Sequence, residues 1–261
     1  MREIKKKNTS KIIGIIFALF RIISALIGLY FVTNKEKNDK ENKEIYDRIK
    51  DDVKHSPTDA TINEEFIIDW EALKDYNVVA WIKFGEYIDY PVVQGEDNKY
   101  YLNHTYNNVY NSGGSIFVSS LNKGDFTDKN TIIYGHNMYS LSMFGVFKDY
   151  LNQSKKMPSE IYIYLPDGTK HTYKVFSINQ TRYDSIAYQY IFENDKDYKD
   201  YQEQMLEGSE YDVGGVVNTD KNMITLSTCS TWGSYQGKRV VILGQEKYIK
   251  KIQEPASWYN K

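Results

Sequence analysis

Cysteine is almost missing from this 261-residue chain, which carries one, Cys229. A single thiol cannot close an internal disulfide, and it cannot supply a cysteine-rich zinc or iron-sulfur site, so those classes fall away at once. Proline and glycine are scarce too, at 5 and 16 residues, which excludes a collagen-like or Pro/Gly-rich disordered chain. Neither sign of charge dominates. The 33 Lys and Arg against 35 Asp and Glu leave a formal net charge of -2, and without a basic field no nucleic-acid partner is expected. What is abundant is aromatic: 24 Tyr and 11 Phe, side chains that favour strands and fill β-rich cores.

One long hydrophobic run is present. Ile12 to Val32 (IIGIIFALFRIISALIGLYFV) is broken only by Arg21, and as a helix it covers about 30 Å, enough to cross a bilayer. Arg2, Lys5, Lys6, Lys7 and Lys11 precede it, which by the positive-inside rule keeps the N-terminus cytoplasmic and sends the rest outside. A cleaved signal peptide begins in the same way. Its apolar core is usually shorter, however, and Gly28-Leu29-Tyr30-Phe31-Val32-Thr33 offers no small-x-small cleavage site, so a retained single-pass anchor in the cell membrane is expected. Arg21 costs about 2.5 to 3.5 kcal/mol at mid-span, which its apolar neighbours offset. Beyond it, Asn34 to Lys54 is dense in charge and reads as a solvated helix or spacer, and His55 to Asn63 (HSPTDATIN) is a break. The expected organisation is a basic cytoplasmic segment 1–11, an anchor 12–32, a charged stalk 33–63 and an extracytoplasmic domain 64–261.

Within that domain, short alternating or apolar runs separated by turns predict strands at 78–84, 88–94, 114–119, 130–136, 160–165, 170–184, 222–228 and 239–245. Pro166-Asp167-Gly168 marks a hairpin turn. Helical patterns occur at 69–76, 142–151 and 195–206, the last two with an Asx or Ser cap in front. Eight short strands point to a closed or nearly closed barrel. The fold class is α+β, mainly β.

Cys229 ends the strand-like run Met223 to Thr228, just before a polar, Gly-bearing loop from Ser230 to Lys238. A lone cysteine is commonly a buried structural residue. Outside the membrane, however, an unpaired thiol is a liability unless it has a task. To be a nucleophile it needs a base or cationic neighbour. Of four histidines, His55 lies in the linker, His104 in a Tyr/Asn-rich loop and His171 just after the hairpin turn, and each reads as a surface residue. His136 differs, because it closes the buried run Thr131-Ile132-Ile133-Tyr134-Gly135 and so matches Cys229 in position. Arg239 opens the strand after the cysteine loop. If the strands flanking that loop pair, its guanidinium can reach the same mouth and donate to a developing oxyanion; an Arg on an exposed edge is the plainer reading.

Thr225-Leu226-Ser227-Thr228-Cys229, with Arg239 ten residues on and Tyr134-Gly135-His136-Asn137-Met138 upstream, resembles the signature of the sortases, cysteine transpeptidases of Gram-positive cell surfaces. The resemblance spans about Ile67 to Gln245. It is strongest to class B, in the helical lead-in, in Met143-Phe144-Gly145-Val146-Phe147-Lys148 and in a long helix before the cysteine strand. Class C enzymes typically carry an Asp-Pro-aromatic lid motif, and this sequence has no Asp-Pro pair.

The resemblance implies an eight-stranded sortase-type barrel and a two-step acyl transfer. Cys229 attacks the carbonyl of a Thr in a C-terminal sorting motif, NPxTx-like or related, of a secreted protein and forms a thioacyl enzyme. His136 protonates the leaving amine and later deprotonates the incoming one. Arg239 stabilises the oxyanion or holds the substrate backbone, and Ser227 and Thr228 contact substrate. The acceptor would be a peptidoglycan amine or a pilin lysine. No cofactor or metal is expected, and the acids of Gly95-Glu96-Asp97 read as turn formers. Two other readings are a hydrolytic cysteine endopeptidase and a non-catalytic, stalked surface-binding module.

Overall fold

The computed structural model describes residues 2–57, 65–229 and 237–259, and the side chains of 2–13, 35 and 229 lie outside that description. The expected domain start at Glu64 and most of the loop from Ser230 to Lys238 therefore fall outside the described residues. Two compact units are present, Met1–Glu41 and Asn42–Lys261.

Helix α1 (Arg2–Val53) runs through the first unit into the second. In the first unit the apolar side chains from Ile15 to Val32 are exposed, and the helix is long and apolar enough to cross a membrane by length and composition, with a mean hydropathy of 2.4 over its most apolar window. The stretch expected as a solvated stalk behaves differently in its second half. Tyr46, Ile49 and Val53 are buried in the main core, and their spacing of three and four residues forms a helical stripe that charged neighbours conceal. Burying each contributes about 1.5 to 3 kcal/mol.

Short strands β1 (Lys54–His55) and β2 (Ile67–Ile68) pair antiparallel. The barrel follows: β3 (Val78–Phe84), β4 (Ile88–Gln94), β5 (Ile116–Val118), β6 (Asn130–Tyr134), β7 (Glu160–Tyr164), β8 (Thr169–Arg182), β9 (Met223–Cys229) and β10 (Lys238–Lys251). It closes in the order β10-β8-β7-β3-β4-β5-β6-β9. All eight expected strands are present. Neighbours are antiparallel except β4 with β5 and β6 with β9. The β6–β9 parallel pair sits in the wall with both faces covered, which is why Asn130 to Tyr134 and Met223 to Thr228 read as nearly continuous buried runs.

The helical expectations hold in part. Helix α2 is only Phe147–Leu151 and has no side-chain cap, because Leu141 and Met143 adopt positive φ values of 63° and 53° and break the 142–151 pattern. At 69–76 the chain forms one 3-10 turn, Glu71–Leu73, with no side-chain cap, and Asp69 Oδ1 just ahead of it accepts from Glu71 N at 3.0 Å. Helix α3 (Asp195–Glu207) is as expected, with Asn194 accepting from Asp197 N at its cap and Tyr198, Tyr201 and Met205 buried. His171, expected at the surface, is 7% exposed inside the β8 wall. The Pro166-Asp167-Gly168 turn forms, with Gly168 at φ 83°.

Candidate active site

Strand pairing assembles the rim. In the β6–β9 parallel register Tyr134 lies beside Ser227, and Gly135 N donates to Ser227 O at 3.1 Å. Two residues further along come His136, past the end of β6, and Cys229, the last residue of β9. In the β9–β10 register Cys229 lies directly opposite Arg239. The backbone thus brings the three expected residues to one end of the barrel. The thiol itself, like Ser230 to Gln236, lies outside the described residues.

His136 is held from two sides. Its Nε2 donates to the carbonyl of Leu102 at 2.6 Å, which fixes the proton on Nε2 in the neutral ring and leaves Nδ1 free to take or give one. Its own carbonyl accepts from Phe144 N at 3.0 Å. Behind it, Met143, Phe144, Val146 and Phe147 are buried, with the rings of Phe144 and Phe147 stacked at 4.6 Å. A Cβ on Gly135 would meet Phe144 Cδ2 at 2.8 Å, so the glycine before the histidine allows this plug to close. The Met-Phe-Gly-Val-Phe run, noted in the sequence as a likeness alone, is therefore the apolar backing of the histidine loop.

A pocket of about 220 Å³ opens here, lined by His136, Arg239, Ser227 and Thr228 together with Asn98, Leu102, Tyr134 and Tyr188 among others. Arg239 lines it while its Nη1 donates to Lys238 O at 2.9 Å. Ser227 and Thr228, which also line it, are buried, at 1% and 3% exposure. Tyr188 OH lies 2.7 Å from Ser227 Oγ, and the Tyr134 and Tyr188 rings stack with centroids 6.2 Å apart. Burial raises the Tyr134 phenol pKa, with a hydrogen bond to Ser119 and the Arg239 charge opposing, so the hydroxyl stays neutral at physiological pH.

Of the other histidines, none reaches this pocket: His104 stacks on Tyr100 at 4.0 Å, and His55 lies 3.9 Å from Asp69. Among the described residues no cluster of His, Cys, Asp and Glu is arranged to hold a metal. Asp97, read as a turn former, accepts from Lys99 N and Tyr100 N at 2.9 and 2.8 Å and so supports the turn that carries Leu102. Leu102, Asn98 and Tyr188 were not legible as site residues. Tyr134 opens the Tyr-Gly-His-Asn-Met motif, and Leu102 acts through its backbone.

The sortase domain profile matches residues 83–247. Sortase B of Listeria monocytogenes serovar 1/2a is 32% identical over 234 residues, covering 88% of this chain and 93% of that protein. The Staphylococcus aureus sortase B-substrate complex matches with a TM-score of 0.63 and 32% identity, covering 70% of this chain and 85% of that one. Sortase B complexed with triglycine matches at 0.61 and 32%, covering 70% and 84%. On barrel order and likeness over most of its length, the chain belongs to the sortase family of cysteine transpeptidases, among its class B members.

Proposed function

We propose that this chain is a membrane-anchored cell-wall transpeptidase that cleaves an NPxTx-like or related sorting motif after Thr and joins the protein to a peptidoglycan amine. The observation that carries the reading is the convergence of His136 and Arg239 on one pocket, at the barrel end where Cys229 faces Arg239 across the β9–β10 pair. The Cys229 thiolate adds to the Thr carbonyl carbon, and the oxyanion develops toward the Arg239 guanidinium. His136, protonated, passes the Nδ1 proton to the leaving amide nitrogen as the C–N bond breaks, leaving a thioester. The ring then takes a proton from the incoming amine, whose attack expels the thiolate. Ser227 and Thr228 in the pocket lining contact the substrate. A solved sortase B-substrate complex and a solved sortase B complex with triglycine support a peptide donor and an amine acceptor. Basic residues ahead of the apolar run support an N-terminus inside and a catalytic domain outside.

Cys229→Ala and His136→Ala are each expected to abolish cleavage of an NPxTx peptide, followed by chromatography; full activity in either removes the reading. Mass spectrometry with an added amine separates the two enzymatic outcomes, since a hydrolytic endopeptidase yields only the free acid. Failure of a thiol-reactive substrate analogue to label Cys229 would favour a non-catalytic binding module.

A further inference from the structure

Helix α1 is tied by hydrogen bonds outside the strand ladder to the segment whose Leu102 carbonyl holds the candidate catalytic histidine. Leu102, whose carbonyl holds His136 Nε2 at 2.6 Å, sits in the segment between β4 and β5. That segment folds back on itself: Asn111 N donates to Asn103 O, and Ser115 N donates to Tyr101 O, both at 2.9 Å. Gly114, at φ 54°, turns so tightly that a Cβ there would meet Tyr101 O at 2.4 Å.

Two residues of α1 strap this segment from outside the barrel. Tyr46 OH donates to Gly114 O and lies 2.9 Å from both that oxygen and Ser115 Oγ. Ser115 Oγ in turn donates to His104 O at 2.8 Å, two residues beyond Leu102. Asn42 Nδ2 donates to Asn111 Oδ1 at 3.1 Å, and Asn42 is 1% exposed. The Tyr46 ring also packs against Tyr106 of the same segment, centroids 5.8 Å apart.

We infer that Asn42 and Tyr46 are positioning residues for His136: by clamping the segment that carries Leu102, they hold the carbonyl that fixes the ring's tautomer and leaves Nδ1 reactive. A loosened segment would let that oxygen drift from Nε2–H, and the ring would then lose both its orientation and its single tautomer. The inference rests on the proposed role of His136, and its test separates the two.

The test uses the full chain in detergent, with Tyr46→Phe, Asn42→Ala, the double variant and His136→Ala. Peptide cleavage is followed against substrate concentration, and the ¹⁵N shifts of His136 are assigned by their loss in His136→Ala. The double variant is expected to lose about tenfold in kcat, the low end for partners that orient a reacting group, with KM little changed. Its His136 ¹⁵N shifts should move toward a mixture of tautomers. Tyr46→Phe, which keeps the ring and removes only the hydroxyl, should show the same changes to a smaller degree. If the variants lose thermal stability while kcat and the ¹⁵N shifts stay as in the parent chain, the strap is structural and the inference is wrong. If His136→Ala itself retains full activity, the functional reading fails instead.

Discussion

The neighbour that sets the chemistry of His136 is a main-chain oxygen, which any residue at position 102 would supply. This is why Cys229, His136 and Arg239 could be proposed from side-chain identity and strand-end position, whereas Leu102 could not. Tyr188 was hidden for another reason: nothing in its local pattern says that the chain between β8 and α3 folds back over β9. Its hydroxyl is the hydrogen-bonding partner of the buried Ser227 Oγ. Removing it leaves that oxygen to find water in the pocket, at a cost of about 1 to 3 kcal/mol. Tyr188→Phe is therefore expected to lower kcat/KM about tenfold with an unchanged circular-dichroism spectrum; a variant with parental kcat/KM would show that the hydroxyl has no part in substrate handling.

At the level of elements, barrel strands are readable because alternation and β-branched runs are local, and their pairing partners follow once the barrel closes. The 142–151 segment misleads because its apolar residues, Met143, Phe144, Val146 and Phe147, are spaced to serve a plug folded over His136, with left-handed Met143 inside it and left-handed Leu141 just before it. Strand β8 hides a different feature. Burial lowers the pKa of His171 from its usual 6.5, with Asp167 opposing, so the folded wall holds a neutral ring that the unfolded chain would protonate. The unfolded state therefore binds more protons below pH 6.5. Stability from this group is fully present above that pH and is lost as pH falls toward the depressed folded value. Urea midpoints measured between pH 6.5 and about 5 should drop more steeply for the parent chain than for His171→Gln; equal slopes would contradict this account.

For the whole molecule, the boundary between the two compact units falls inside the residue range of α1. Charge density made 33–63 look like a spacer, because Lys, Glu and Asp outnumber the few apolar residues that decide packing. Burial of Tyr46, Ile49 and Val53 amounts to about 5 kcal/mol or more, comparable with the entire stability of a typical domain. A chain starting at Asn34 should melt close to the full-length protein, and one starting at Lys54 should melt far lower or fail to fold; equal melting temperatures by scanning calorimetry would refute this. The parallel β6–β9 contact has a consequence for how such a domain is made. Asn130 and Thr225, joined by a hydrogen bond of 2.9 Å, lie 95 residues apart in sequence, and the loop-closure entropy of so non-local a contact must be met before the contact repays it, which slows folding. Until it closes, His136 and Cys229 are not on one rim. A chain still in extended form keeps the backbone of position 229 apart from His136 and Arg239, and the three meet at one rim only when the barrel is complete.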